Sequence, residues 1–204
     1  MEGTFRIGKA PAANVPITLD VNDRSSYGNL VPSVFPHHDV TTGPDGRFVF
    51  ERVIPGGGQI GRRIIFTVND GADDVTSSCM IAAEFPAGKT VHIDLGGTGR
   101  PVVGKLRPPD GFQGKVHWNF ASVTAMPDEA EAETRATNPS LMASVDRDGR
   151  FRMDDVPVGN YSLSVRFERD GAGHLWNHRV HVPPTEGASS AQPVDLGTLT
   201  LEKP

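Results

Sequence analysis

The stretch Arg147–Asn160 reads RDGRFRMDDVPVGN, and a near copy, PDGRFVFERVIPGG, occupies Pro44–Gly57. Each copy has an Asp-Gly pair near its start, which suits a tight turn because glycine takes positive φ without steric cost and aspartate bonds to nearby amides. Alternate residues of a strand face opposite sides, so the two large apolar residues that follow share one face. The repeated phrase therefore predicts a hairpin turn followed by a strand that fills a core.

The residues of the two halves assigned to the turns and the core are Asp45, Gly46, Phe48, Phe50, Asp148, Gly149, Phe151 and Tyr161. The arginine after each glycine points away from that core. Val53 and Val156 then return to it, and Gly56 and Gly159 interrupt the strand before the next one begins. Each phrase thus specifies a hairpin together with its buried side chains.

Further matches follow the same order in both halves. The matched segments are HIDLGG (92–97) with PVDLGT (193–198), GKAP (8–11) with GKLRP (104–108), and NVPITL (14–19) with KVHWNF (115–120). A tandem duplication explains this order. We therefore expect two domains, residues 1–97 and 98–204, joined by a short linker within Leu95–Pro101.

Composition limits the function classes. The 204 residues carry a formal net charge of −5 and no basic stripe, which argues against a nucleic-acid binder. No apolar run approaches the ~20 residues of a membrane span. The single cysteine, Cys79, excludes an internal disulfide or thiolate metal cage, and a small buried apolar residue is favoured over a reactive thiol. The chain begins and ends on strand-like sequence with no leader, so we expect a piece of a longer precursor.

Period-2 alternation and β-branched residues predict short strands in both halves. The predicted strands are VPITLDV, RFVFERV, RIIFTV and TVHIDL in the first half, and GKVHWNF, RFRMDDV, YSLSVRF and NHRVHV in the second. Only Met126–Ala143, which is rich in Ala and Glu, offers a helix, and an acidic inter-strand loop is the alternative. The pattern predicts an all-β chain of two antiparallel sandwiches.

Both phrases, the second together with its continuation YSLSVRF, resemble the carboxypeptidase regulatory-like (transthyretin-like, prealbumin-like) β-sandwich domain, and the second matches it more fully. The family residues matched in order are Asp146, Gly149, Phe151, Val156, Gly159, Tyr161, Leu163 and Val165. The first half departs after Pro55-Gly56, where GGQIGRR is inserted and no tyrosine appears. The resemblance implies two sandwiches of prealbumin or immunoglobulin-like type and an extracytoplasmic bacterial location, periplasmic, cell-surface or secreted. It implies no chemistry.

Histidines are the first candidates for a functional site. His174, His178 and His181 lie within eight residues. In a regular strand the first two share a face and the third points away, so three metal ligands do not converge. The adjacent His37 and His38, followed by an aspartate, also face opposite ways. We predict no metal and no cofactor, and a metal-dependent enzyme stays the third hypothesis.

Other enzyme patterns are missing. Intradiol dioxygenases resemble this sandwich but hold iron with two Tyr and two His, whereas this chain has only Tyr27 and Tyr161 and the latter is a core residue. The C-terminal Tyr-Arg-Gly-Ser of transthyretin-like hydrolases is absent. Asp146–Asp155 has glycine at position 4 rather than 6 of an EF-hand loop, so a hairpin turn is favoured over a calcium loop. The glycine-rich run 55–61 lacks a following helix, so we expect a loop rather than a phosphate site.

Aromatic side chains are the remaining candidates. Trp118 alternates with Val116 and Phe120, which predicts a core position. Trp176, between His174 and His178, is expected at the surface, where an aromatic ring can stack on a sugar. Trp176, His174 and His178 are therefore the predicted ligand-binding residues.

The function that these observations favour is non-catalytic. We expect an accessory structural module of a larger extracytoplasmic protein that spaces or docks a neighbouring domain or protein partner. Carbohydrate binding through exposed loop aromatics is the alternative, with a glycan as partner. We expect no nucleic-acid partner and no direct membrane span.

Overall fold

The computed structural model describes residues 1–22, 37–63, 77–128, 140–169 and 171–203. Within these ranges the strands are β1 (Glu2–Ile7), β2 (Ala10–Pro11), β3 (Pro16–Asn22), β4 (His37–Thr41), β5 (Arg47–Val49), β6 (Gly56–Arg62), β7 (Ser77–Phe85), β8 (His92–Gly96), β9 (Gly99–Arg107), β10 (Ala121–Pro127), β11 (Ser140–Ser144), β12 (Arg150–Pro157), β13 (Gly159–Phe167), β14 (Leu175–Val182) and β15 (Val194–Thr200). The described residues contain one 3-10 turn, Trp118–Phe120, as their helical element. The all-β fold is confirmed. No helix in the described part of the chain is long and apolar enough to cross a membrane.

The strands form one large sheet and two small ones. The large sheet has the order β14-β13-β10-β11-β7-β6-β3-β4, and all its neighbouring pairs are antiparallel. In one small sheet β1 pairs with β2, β5 and β8; in the other β9 lies between β12 and β15. The pairs β1–β8 and β9–β15 are parallel. Both small sheets thus repeat one connectivity, in which the first strand of a half joins its hairpin strand and its last strand.

Each small sheet covers its own half of the large sheet with a separate apolar core between them. The first core contains Phe5, Ala12, Ile17, Leu19, Val21, Phe48, Phe50, Ile60, Phe85, Ile93 and Leu95. The second core has its centre in Val102, Leu106, Val123, Leu141, Phe151, Met153, Tyr161, Leu163, Val165 and Leu199, with further residues around them. The hairpin strands face as predicted, since Phe48, Phe50 and Phe151 are buried while Arg47 and Arg150 are exposed. The division into domains at residues 97 and 98 stays a prediction.

The repeated turn makes the same contact in both halves. Gly46 has φ +75° and its carbonyl accepts a hydrogen bond from the Phe5 N–H at 2.8 Å; Gly149 has φ +79° and accepts from the Leu106 N–H at 2.7 Å. A Cβ on either glycine would lie 2.6 Å from the carbonyl oxygen of that same partner. Glycine is therefore required both by backbone conformation and by close approach.

A second pair of glycines lies under the hairpin phenylalanines. A Cβ on Gly3 would come within 2.6 Å of the Phe48 ring, and one on Gly104 within 2.7 Å of the Phe151 ring. The strand registers agree, because Gly3 pairs with Phe48 and Gly104 with Phe151. The structure therefore matches Gly104 with Gly3 rather than with Gly8, which corrects the alignment of GKAP with GKLRP.

The segment KVHWNF was also misassigned. Trp118 is 8 % exposed in the second core, as predicted, but it lies in the 3-10 turn before β10 rather than in a strand. Its ring packs on Phe167 at 5.8 Å between centroids. The strand that corresponds to β3 is β10, which begins three residues later, at Ala121. Of the helix candidate 126–143, residues 129–139 lie outside the described residues, whereas 126–127 belong to β10 and 140–143 to β11. The predicted strand RIIFTV (63–68) also lies outside the described residues from residue 64 onward.

The two halves meet edge to edge in the large sheet. Strand β7 of the first half pairs with β11 of the second, with Met80, Cys79, Ser78 and Ser77 opposite Ser140, Leu141, Met142 and Ala143. The connection between the halves is also short, because only residues 97 and 98 separate β8 from β9. One continuous sheet therefore runs through both halves.

Candidate functional site

Trp176 is an exposed candidate of the sequence analysis. It is 51 % exposed on β14, and its ring lies 5.8 Å from the His174 ring with the planes 40° apart. His174 in turn exchanges two backbone hydrogen bonds with Glu202, of 3.1 and 2.8 Å. The structure thus brings Trp176 and His174 together in a small aromatic surface.

The predicted third member, His178, does not join that surface. Leu163 of β13 lies opposite His178, and Val165 opposite Leu175, so two residues of β14 face the single residue between them. This bulge reverses the alternation along β14. His178 lies opposite the buried Leu163 and faces the core, whereas His174 does not face the core. The expectation that His174 and His178 share a face is therefore wrong.

The other histidines are engaged separately. His181 Nδ1 lies 2.8 Å from the Asn160 side-chain oxygen. His38 is exposed on β4, and the Asp39 carboxylate accepts a hydrogen bond from the Thr18 hydroxyl at 2.7 Å. The side chain of His37 lies outside the described residues. Among the described residues no group of three or more His, Cys, Asp or Glu side chains could hold a metal ion.

The calcium-like phrase forms the predicted turn. The Asp146 carboxylate accepts hydrogen bonds from the backbone N–H groups of Asp148 at 2.9 Å and Arg150 at 2.7 Å. The Asp148 carboxylate pairs with the Arg150 guanidinium at 2.8 Å. The Asp146 and Asp148 carboxylates thus bond to groups of the turn itself.

A polar cluster at the junction of the halves was not predicted. The Arg62 guanidinium donates hydrogen bonds to the Asp154 carboxylate at 3.0 Å and to the Ser77 hydroxyl at 2.5 Å. Arg152 donates to the other Asp154 oxygen at 2.8 Å. The Arg62–Asp154 pair is largely buried, with 13 % and 16 % of the side chains exposed. Because Arg62 and Ser77 belong to the first half and Asp154 to the second, this cluster joins the halves.

Asp155 makes a second contact between the halves. It is 4 % exposed, has φ +49°, and lies where the register of β12 against β9 shifts. Both of its carboxylate oxygens accept the N–H of Gly8 at 2.9 Å. The carboxylate therefore holds the turn between β1 and β2 against the second half.

The pKa values of the Asp154 and Asp155 carboxyl groups shift in opposite directions. Burial alone would raise the pKa of Asp154, but the hydrogen bonds and positive charges of Arg152 and Arg62 lower it below its ordinary value. Burial raises the pKa of Asp155, although the Gly8 and Gly97 N–H groups partly offset this. The lowered pKa keeps Asp154 ionised as the partner of Arg62 and Arg152.

Cys79 lies beside this cluster and is buried, as predicted. Burial is the main cause that raises the pKa of its thiol to about 11. The thiol is therefore protonated and weakly nucleophilic at neutral pH.

A sequence signal for the cluster exists in the repeat itself. Where the second half has Asp154-Asp155, the first has Glu51-Arg52, and both of those residues are exposed. An acidic pair at a strand position that the other copy leaves in solvent marks a contact specific to one half. The partner Arg62 could not be identified in this way, because it lies in the insertion where the repeat diverges.

Similar solved structures include two bacterial pilins and a further bacterial protein, all of low identity. The streptococcal ancillary pilin is 13 % identical, with a TM-score of 0.29, over 96 % of this chain and 61 % of its own. The TIE protein of Bacillus anthracis is 12 % identical, with a TM-score of 0.32, over 99 % of this chain and 33 % of its own. The minor pilin of Streptococcus agalactiae is 12 % identical, with a TM-score of 0.30, over 99 % of this chain and 98 % of its own.

Resemblances of this size carry no argument about function. The chain spans less than two thirds of the first two of these proteins. No family model matches the chain. No curated protein matches its sequence.

Proposed function

We propose that the chain is a non-catalytic, rigid structural module that spaces or docks its neighbours in a larger extracytoplasmic protein. The observation that carries the proposal is the continuous sheet through β7 and β11. An inter-domain contact made only of side chains permits hinge motion, whereas a backbone ladder fixes distance and orientation. A spacer or docking platform needs that property.

The buried cluster adds to this rigidity. Arg62, Asp154 and Asp155 connect the halves beside the shared ladder, so rotation about the ladder would break charged hydrogen bonds. Hydrogen bonds that involve charged groups are roughly twice as strong as neutral ones, so the cluster resists such rotation.

The fold family and the location belong to the same proposal. The two halves repeat one connectivity, one turn contact and one glycine–phenylalanine contact, which supports two copies of a carboxypeptidase regulatory-like sandwich divided near residues 97 and 98. The extracytoplasmic location follows from the resemblance of the second hairpin phrase.

The test measures one distance across the junction. Spin labels on Lys89→Cys in the first half and Arg179→Cys in the second, in a Cys79→Ala background, give a distance distribution by pulsed electron resonance. We expect one narrow distribution. A broad distribution would mean that the halves reorient freely, and the spacer proposal would be wrong.

A proline variant provides the matched comparison. The Thr42 N–H donates to the Val15 carbonyl at 3.0 Å, so the next pair, Pro16 with Thr41, is not hydrogen-bonded, and alternate residues of β4 direct their N–H groups away from β3. Counting from the shared hairpin phrases, Met142 of β11 corresponds to Asp39 of β4, so the Met142 N–H points to β7. Met142→Pro should broaden the distance distribution, whereas Thr41→Pro, at the outer strand, should leave it narrow.

Carbohydrate binding is the second candidate, favoured by the exposed Trp176 beside His174. Retardation in polysaccharide affinity gels should disappear in Trp176→Ala and persist in Phe112→Ala, another exposed aromatic. Equal mobility of the parent with and without polysaccharide would reject it. The metal-dependent hypothesis has no arrangement of described residues in its favour.

A further inference from the structure

A polar cleft of about 630 Å³ lies between the turn that precedes β2 and the loop that precedes β15. The residues that give it its polar character are Lys9, Arg100, Glu186, Ser189, Ser190 and Gln192. Lys9 belongs to the first half and Arg100 to β9 of the second. The cleft therefore exists only because the halves are held together.

Arg100 is incompletely satisfied by the protein. One of its terminal amino groups donates to the Pro184 carbonyl at 3.1 Å. Its Nε is buried and has no hydrogen-bond partner among the described residues. Since the Nε lies below the surface, an anion in the cleft would be bound by the terminal amino groups of the guanidinium, whose fork geometry matches an oxyanion best.

The charge balance of the cleft favours an anion. Lys9 and Arg100 supply two positive charges and Glu186 one negative charge, and neither cation forms an ion pair with an acidic side chain in the described part of the chain. A neighbouring lysine and arginine repel each other, so an anion between them lowers the energy of both.

The walls of the cleft are fixed by backbone contacts. The Asp155 carboxylate holds the N–H of Gly8, next to Lys9. On the other side the Ser190 N–H donates to the Gly99 carbonyl at 2.9 Å, and the Ser190 hydroxyl accepts the Gln192 N–H at 3.1 Å. Because the backbone of both walls is held, a ligand would meet a cleft that is already formed.

We propose that this cleft binds an oxyanion group, a carboxylate, sulfate or phosphate borne by a ligand, with Arg100 and Lys9 as its cationic donors. The Ser189 hydroxyl and the Gln192 side chain line the same space and can bond to polar groups beside the anion. This inference goes beyond the structural role, although the cleft, like that role, requires the two halves to be held together; a narrow spin-label distance without anion binding would reject the site and leave the structural role standing.

The test is a titration followed by amide chemical shifts, with sodium acetate, sodium sulfate and sodium phosphate as probes at constant ionic strength. We expect saturable shifts at Lys9, Arg100, Ser190 and Gln192 with at least one probe. The probe that binds most tightly identifies the preferred anion. Shifts that do not saturate with any probe, or that centre elsewhere, would overturn the proposal.

Variants separate this site from general anion attraction. Arg100→Gln should weaken binding by about tenfold or more, because it removes a charged hydrogen-bond donor. Lys9→Gln, at an exposed turn position, tests the site without altering a strand. Arg179→Gln on β14 is the matched control and should bind as the parent does. Unchanged affinity in both Arg100→Gln and Lys9→Gln would refute the site.

Discussion

Single residues decide the fold where the chain approaches itself most closely. Gly149 needs a left-handed φ of +79° and lies against the Leu106 carbonyl, so two independent constraints exclude a side chain. The same is true of Gly46 and Phe5 in the first half. These glycines fix each hairpin onto the first strand of its half.

Gly149→Ala should lower the free energy of unfolding by about 3 kcal/mol, from the left-handed backbone and the forced displacement of Leu106. Gly111→Ala is the matched control, because Gly111 has φ +82° and a Cβ there would meet nothing within 4 Å. Its cost should be only about 1 kcal/mol. Urea denaturation measures both, and equal costs would show that the close approach is unimportant.

The Cys79 thiol is a second prediction at this scale. With its pKa raised to about 11 and its side chain buried opposite Leu141, it should react with an aromatic disulfide reagent at neutral pH at least about a hundredfold more slowly than in the unfolded chain. Met142→Pro, which opens the junction, should accelerate the reaction. Rapid reaction of the native parent would mean that β7 and β11 are not paired.

Elements differ in how far the sequence predicts them. The hairpin strands follow from Asp-Gly turns and alternating apolar residues, which are local signals. Strand β7 was missed because Ser77–Phe85 lacks strict alternation, and the expectation of a loop at 55–61 was wrong, because this glycine-rich run forms most of β6. The bulge of β14 could not be predicted either, since the register of a strand depends on its partner.

The bulge also distinguishes β14 from β7, which holds the corresponding position in the first half. Strand β7 is paired on both sides, with β6 and β11, whereas β14 is an edge of the large sheet in the described structure. In β14 two residues, Trp176 and Asn177, oppose one, and Asn177 has φ +54°. A bulge of this kind protects an edge strand from pairing.

At the same scale, Asp154 gives the junction a pH dependence. Its folded-state pKa is lowered from 3.8, so its stabilising effect is complete above that value and is lost as the pH falls through the folded pKa. Asp154→Asn should lower the free energy of unfolding by about 2 kcal/mol at neutral pH.

The difference between parent and Asp154→Asn should shrink as the pH falls from about 5 to about 3. Denaturation series across this range measure it. Asp148→Asn is the control, because the exposed Asp148 carboxylate of the parent pairs with Arg150 on the surface. This variant should change stability little. A constant difference for Asp154→Asn would show that the Arg62 and Arg152 pairs do not stabilise the fold.

In the described structure one large sheet runs through both halves, and a small sheet packs on each half of it. The sequence predicts the hairpins of the small sheets and the two cores, because duplicated turns and apolar patterns lie within each half. It does not predict the join, which depends on the long-range pairing of β7 with β11 and on Arg62 in an insertion. For the same reason the sequence indicated Trp176 and the histidines as candidates, because they lie close together in the chain. It did not indicate the cleft lined by Lys9 and Arg100, because that cleft forms only when both halves are in place.

Amide hydrogen exchange at two corresponding positions tests the join most directly. Met142 of β11 and Asp39 of β4 occupy corresponding positions in their halves. The Met142 N–H points away from β10, and the Asp39 N–H points away from β3. In the described structure only β11 has a further strand, β7, on that side. We predict that the Met142 amide exchanges at least about a hundredfold more slowly than that of Asp39. Equally fast exchange at both amides, with the two cores still protected, would contradict the shared sheet.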